Sequence, residues 1–202
     1  MKAIYALMLG ALFIFMLPLA SLADSPITST PFYEAYLDFS IVKRAHDSGI
    51  MTTLIATYLS SSSHPVDVKM AVINALSWDY NGKSNGILYS YYLGLKYGVT
   101  IDKLNFDDLT PDEILCLGYL IIMDDYFNPD AGIPLLERAN SREGDSFTYA
   151  IILAIANAQR EMDYDWGEVW KSAERVFEND ALKQDMRKDA VKIIRDYMEL
   201  YK

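Results

Sequence analysis

Residues 109–179 constrain the fold of this chain more than any other segment, because they have the pattern of two successive helical hairpins. The first helix opens with Thr110-Pro111-Asp112-Glu113. In this arrangement the Thr hydroxyl and the Glu carboxylate cap each other's backbone N–H groups, and Pro occupies the first helical position, where it loses no hydrogen bond. Residues 114–123 are apolar on nearly every side, which predicts an enclosed helix. Because Gly118 costs that helix about 1 kcal/mol relative to Ala, we expect it to mark a close helix–helix approach.

The two hairpins are related by a shift of 34 residues, which places Leu117 on Ile151. A period of 34 built from helix, turn and helix is the tetratricopeptide spacing. Residues 110–178 resemble that superfamily, with Leu117-Gly118 standing where its Leu-Gly pair stands and Ile151-Ile152 at the same place in the second copy. The resemblance implies stacked helices and a partner-binding surface. The alternative is an irregular helical bundle in which the period is fortuitous.

The rest of the chain also has helical patterns and almost no strand signal. Residues 65–97, with a turn at 81–86, predict a third hairpin, and residues 179–202 predict an amphipathic helix that caps the stack. We therefore predict an all-α fold. About eight or nine helices would stack as hairpins in a right-handed α–α superhelix of the TPR or HEAT kind. They would form a single domain at residues 32–202.

The N-terminus has the features of a secretory signal peptide at residues 1–23. Lys2 precedes an uncharged, mostly apolar run that Pro18 interrupts, and Ser21-Leu22-Ala23 offers small residues for cleavage. The length of the apolar run leaves an uncleaved membrane anchor as the alternative. We expect an exported protein of the periplasm or extracellular space, with a short linker at residues 24–31 and no stable membrane insertion after cleavage.

The net charge of the chain limits the classes of partner that it could bind. The chain has 18 Lys and Arg against 28 Asp and Glu, a formal net charge of −10. This balance argues against nucleic acid and anionic membranes as partners. It permits a basic partner, although such charge also keeps a chain soluble.

Cys116 is the single cysteine and lies in an apolar helix, so we expect a buried free thiol.

No motif in the sequence names a reaction, a cofactor or a metal. Ser40 and Lys43 match the Ser-x-x-Lys pattern of penicillin-binding enzymes. That family needs strands for its companion motifs, so a helix surface explains the pair better. His46 and His64 lack a His or Cys at metal-ligand spacing. We therefore predict no catalytic residue, no cofactor site and no metal site.

The acidic turns that follow the first helix of each hairpin are the best candidate for a binding site. Their carboxylates recur at the same end of successive hairpins, beside aromatic residues, a combination common at interfaces. Calcium is a possible ligand, but the Gly-containing EF-hand loop is absent, and helix capping is the simplest role for these acids. The predicted partner-binding residues are Asp124, Asp125, Tyr126, Asp130, Asp163, Tyr164, Asp165 and Trp166.

Two functions fit these features. In the first, the protein is an exported helical-repeat module that binds a protein or peptide, as an assembly factor or as an inhibitor of a basic partner. This function predicts an open groove lined by aromatic residues. In the second, it is a small envelope hydrolase that uses paired carboxylates at the acidic edge. That function predicts a closed pocket with two carboxylates, at least one with a strongly raised pKa.

Overall fold

A computed structural model describes residues 25–78, 82 and 84–202, so the predicted signal peptide at residues 1–23 lies outside the described part. Within that part the protein has nine α-helices, four short 3-10 helices and no strand, which confirms the all-α prediction. The α-helices are α1 (Ser40–Ser48), α2 (Thr53–Leu59), α3 (Val66–Leu76), α4 (Asn85–Tyr97), α5 (Pro111–Asp124), α6 (Ile133–Arg142), α7 (Phe147–Glu161), α8 (Trp166–Phe177) and α9 (Lys188–Met198). The 3-10 helices are Phe32–Tyr36, Ile101–Lys103, Pro129–Ala131 and Glu199–Tyr201.

The start of α5 has the cap that its sequence predicts. The Glu113 N–H donates to the Thr110 hydroxyl at 3.3 Å, and the Thr110 N–H donates to Glu113 Oε2 at 2.9 Å. Glu113 is completely buried, and its carboxylate also accepts hydrogen bonds from Lys96 Nζ at 2.6 Å and from the Tyr97 hydroxyl at 2.7 Å. The cap therefore also joins the end of α4 to the start of α5.

Gly118 lies at the closest approach of α5 and α6, as its position in the apolar helix predicts. A Cβ atom there would be 2.9 Å from Leu136 Cδ2, 3.0 Å from Leu135 Cβ and 3.1 Å from the Gly132 carbonyl oxygen. Gly132 faces it from the other side, where a Cβ would lie 2.4 Å from the Gly118 carbonyl oxygen. Two glycines in contact thus allow the backbones to approach more closely than any side chain would permit.

Two of the three predicted hairpins are present. The helices α5 and α6 pack extensively against each other, as do α7 and α8, and α6 packs against α7. The hairpins begin at Pro111 and Phe147, close to the predicted period. The handedness of a superhelix stays a prediction.

The third predicted hairpin, α3 with α4, is wrong. Instead, α3 packs against α1 and the 3-10 helix Phe32–Tyr36, and α4 packs against α5. The reason is a long-range cap. The Asp124 carboxylate at the end of α5 accepts hydrogen bonds from the backbone N–H groups of Asn85 at 2.9 Å and Gly86 at 2.7 Å. The first turn of α4 is therefore tied to α5.

The segment before the first helix is part of the folded domain and not the predicted linker. Ile27 is completely buried, the Ser25 hydroxyl bonds to the Gln159 side chain, and the Asn74 amide donates to the Thr30 carbonyl at 3.1 Å. At the other end, α9 buries its apolar stripe, and the buried apolar side chains form one cluster from Ile27 to Tyr201. The core therefore includes both ends of the described chain.

A buried ionic network connects α3, α5 and α7. The Lys69 ammonium, whose side chain is fully buried, pairs with the Asp112 carboxylate. The same carboxylate accepts a hydrogen bond from the Tyr149 hydroxyl. Because removing one partner of a buried pair leaves an uncompensated charge, at a cost of about 3–5 kcal/mol, we assign these residues to the stability of the fold.

Candidate functional site

The two acidic turns are neighbours in the structure. Tyr126 and Asp163, one from each turn, line the same cavity of about 290 Å³ together with Trp78 and Phe127. The rings of Trp78 and Tyr126 meet edge to face, with centroids 5.3 Å apart. The first turn is also joined to the end of α7 by Asp130 Oδ1, which lies 3.7 Å from the Arg160 guanidinium.

Two of the predicted acidic site residues cap helices. Asp124 uses both carboxylate oxygens on the start of α4, as described above. Asp165 accepts a hydrogen bond from the Gly167 N–H at 3.0 Å and so caps α8. Since such a cap contributes about 0.5–2 kcal/mol, we assign both carboxylates to the fold rather than to the binding surface.

The remaining predicted residues are exposed but lie outside the cavity that Tyr126 and Asp163 line. Asp125 is exposed, and Tyr164 is 80% exposed. Trp166 is half exposed, and its ring lies 5.2 Å from that of Tyr201 in the C-terminal 3-10 helix. The eight predicted residues therefore do not form one site.

The alternative hydrolase function predicts paired carboxylates in a pocket at the acidic turns. Among the described residues, Asp163 is the single carboxylate that lines its cavity. In the same part of the chain, no group of three or more His, Cys, Asp or Glu could hold a metal ion. Ser40 and Lys43 lie on the exposed face of α1, as the helix-surface interpretation predicts.

A second surface, which the sequence did not indicate, is an apolar groove between α2 and α4. We call it the α2–α4 groove; it has a volume of about 480 Å³. Met51 and Ala56 form part of one wall, and Leu88, Tyr91 and Leu95 of α4 form part of the other. The side chains of Leu88, Tyr91 and Leu95 are 44%, 55% and 84% exposed. Their spacing of three and four residues places them on one face of the helix.

Most of the exposed apolar side chains belong to one stretch of the sequence. Eight of the twelve large apolar side chains that are exposed in the described residues lie between residues 50 and 101, including Ile50 and Leu54 beside the α2–α4 groove. The opposite face of α4 is buried through Tyr89 and Leu93. Leu88, Tyr91 and Leu95 line one groove, and exposed apolar side chains grouped in this way often mark an interaction site, so the α2–α4 groove is the strongest candidate surface.

Sequence reasoning missed this groove because α4 is apolar on most of its faces. Tyr89 and Tyr91 lie two residues apart in the same apolar helix, but only Tyr89 is buried. The sequence did contain one relevant signal, which is the large number of apolar side chains in α4. One neighbouring helix cannot cover all of them. By contrast, α9 has charged side chains on its exposed face, with an ion pair between Lys192 and Asp196.

Comparison with known proteins gave no match to a family model, a curated protein or a solved structure. Among the described residues, no helix has both the length and the hydrophobicity that are needed to cross a membrane.

Proposed function

We propose that the protein is an exported module that binds another protein or peptide and that the α2–α4 groove is its docking surface. The observation that carries this proposal is the exposure of Leu88, Tyr91 and Leu95 along one face of α4. The solvent-facing side of a surface helix is usually polar. An apolar face at such a place favours a partner that covers it. Export rests on the signal-like pattern of residues 1–23.

Covering this face would supply part of the free energy that specific binding needs. Each of these three exposed side chains would contribute about 1–2 kcal/mol on burial. Association must first offset the lost translational and rotational freedom of the partner, so further contacts with neighbours such as Leu54 are required. A partner segment with apolar residues on one helical face would provide them, because such a helix fits a groove between two helices.

The charge of the chain favours a basic partner. With a formal net charge of −10, the protein attracts cationic chains and repels acidic ones over a distance set by the salt concentration. The exposed acids of the turns, Asp125, Asp130 and Asp163, contribute to this field without forming the groove. An assembly factor and an inhibitor of a basic protein both fit this description.

The test combines site-specific crosslinking with surface variants. A photo-crosslinking amino acid at position 91 should capture one partner from the envelope and secreted fractions of the source cells. The same amino acid at position 200, where Leu200 is 69% exposed outside the groove, should not. The double variant Leu88→Ser, Leu95→Ser should lose the partner, and Leu200→Ser should retain it.

Two outcomes would count against the proposal. If positions 91 and 200 give the same crosslinks, the groove is not the docking surface. If no partner is captured at low or high salt, the binding function itself is unsupported.

A further inference from the structure

A polar groove lies between α6, α7 and α8, on helices other than those that form the α2–α4 groove. Its volume is about 410 Å³, which is within the usual range for ligand sites. The floor consists of small and apolar side chains, Ala150, Leu153, Ala154 and Val176. We call it the Asn groove, because Asn140 of α6 and Asn157 of α7 both line it.

The two Asn side chains are unusual because their carbonyl oxygens have no hydrogen-bond partner among the described residues. These atoms, Oδ1 of Asn140 and Oδ1 of Asn157, are buried. Buried polar atoms are almost always paired in native proteins, and each exception calls for an explanation. The torsion that orients an Asn amide is broad and roughly two-fold, so either end of each amide can be presented to a ligand in the groove.

The charged residues of the Asn groove are already paired with one another. Arg175 donates to Glu168 at 2.7 Å, and Arg160 Nε lies 3.4 Å from Glu161 Oε1. Two arginines and two glutamates balance, so the rim has no excess charge of either sign. A strongly anionic or cationic ligand would have to break one of these pairs. The groove therefore favours a neutral polar ligand.

We propose that the Asn groove binds an uncharged, extended stretch of peptide through its backbone. An Asn side chain has two N–H donors and a carbonyl acceptor. Its N–H can donate to the carbonyl of a peptide backbone, and its carbonyl can accept from the backbone N–H. Once its amide turns toward the groove, one Asn can thus hold one backbone amide with two hydrogen bonds, while small apolar side chains of the ligand lie on the floor. Neutral sugars are the competing class, but the residues that line the groove include no aromatic ring on which a pyranose could stack. This site is independent of the α2–α4 groove, and neither proposal depends on the other.

The test uses NMR titration of the whole protein with capped tetrapeptides (N-acetylated and C-amidated) composed of Ala, Val and Ser. The side-chain NH₂ signals of Asn140 and Asn157 should shift on saturable binding. Raising the salt from 50 to 500 mM should leave the affinity unchanged, because the ligand is neutral.

Variants separate a ligand-binding role from a structural one. Asn157→Leu should weaken peptide binding at least tenfold, while the melting temperature stays the same or rises, because an unsatisfied polar group is replaced by an apolar one. Asn128→Leu, at an exposed position outside the groove, is the matched control and should leave affinity unchanged. Leu88→Ser, Leu95→Ser should also bind the peptides normally, which keeps this test separate from that of the α2–α4 groove.

Four outcomes would overturn the proposal. The first is that no capped peptide shifts the two NH₂ signals at millimolar concentration. The second is that chitotetraose, a neutral oligosaccharide, binds where the peptides do not. A steep loss of affinity with salt would show that the Arg and Glu side chains hold the ligand instead. A lower melting temperature of Asn157→Leu would show that the amide supports the fold.

Discussion

Adding a side chain at the contact between Gly118 and Gly132 should destabilise the protein in a graded way. In Gly118→Ala the new Cβ would lie 2.9–3.1 Å from three atoms of α6 and the residue before it, one of them a backbone oxygen. Overpacking of this kind costs about 1–3 kcal/mol. Ala is also favoured over Gly within a helix by about 1 kcal/mol, so we expect a net loss of about 0–2 kcal/mol.

Larger changes at the same contact should cost more. Gly118→Leu adds further carbon atoms against Leu135 and Leu136, and we expect a loss of about 3 kcal/mol. Gly132→Ala should exceed Gly118→Ala, because its Cβ would lie 2.4 Å from the Gly118 carbonyl oxygen and 2.6 Å from Ile122 Cγ1. For a protein of this size, 1 kcal/mol corresponds to about 2–4 °C in melting temperature.

The assay is urea unfolding followed by circular dichroism, with Gly144→Ala as the matched control. A Cβ at Gly144 would meet only the Asn140 carbonyl oxygen, at 3.7 Å, which is an ordinary contact. The control should therefore unfold at the wild-type midpoint or slightly above it. If Gly118→Leu also unfolds at the wild-type midpoint with an unchanged slope, the close approach of α5 and α6 is refuted.

Three further predictions concern single side chains, Asp124, Glu113 and Cys116. Asp124→Ala should lower the free energy of unfolding by about 1–2 kcal/mol, measured in urea, because α4 loses its cap; an unchanged midpoint would show that the carboxylate is dispensable. Burial alone would raise the pKa of Glu113, but hydrogen bonds from Lys96, Thr110 and Tyr97 outweigh it and hold that pKa below its usual value. A lowered folded-state pKa gives stability that is present above the unfolded pKa of about 4.3 and is lost as the pH falls through the folded value. Acid titration of Glu113→Gln should therefore show a shallower loss of stability below pH about 4 than wild type, and parallel curves would contradict this reasoning. Burial raises the pKa of the Cys116 thiol far above its usual value, so Ellman's reagent should label it only in urea, and rapid labelling of the native protein would show that the site opens.

Local signals in the sequence predicted the helices that they directly control. The Thr110–Glu113 cap joins residues three apart, and α5 begins at Pro111 as that cap predicts. The role of Gly118 could be predicted because glycine destabilises a helix interior, so its presence there indicates a close approach of a neighbouring backbone. Each of these predictions depends on interactions within one helix or on one residue's conformational preference, and both are present in the sequence itself.

The candidate site could not be predicted in the same way. The acidic turns do meet, through the cavity shared by Tyr126 and Asp163, but Asp124 serves a helix that begins at Asn85, far away in the sequence. The α2–α4 groove was missed because the sequence shows that α4 is apolar without showing how many neighbours cover it.

The sequence by itself thus determined the helical class, the hairpins of residues 111–177 and the acidic balance, because helix periodicity, capping and net charge depend on neighbouring residues or on composition. Only the tertiary structure decided that α4 packs on α5, that Tyr91 stays exposed while Tyr89 is buried, and that Asn140 and Asn157 face one groove. Burial depends on which helices stack against which, and in this protein that choice is made by contacts between residues far apart in the chain.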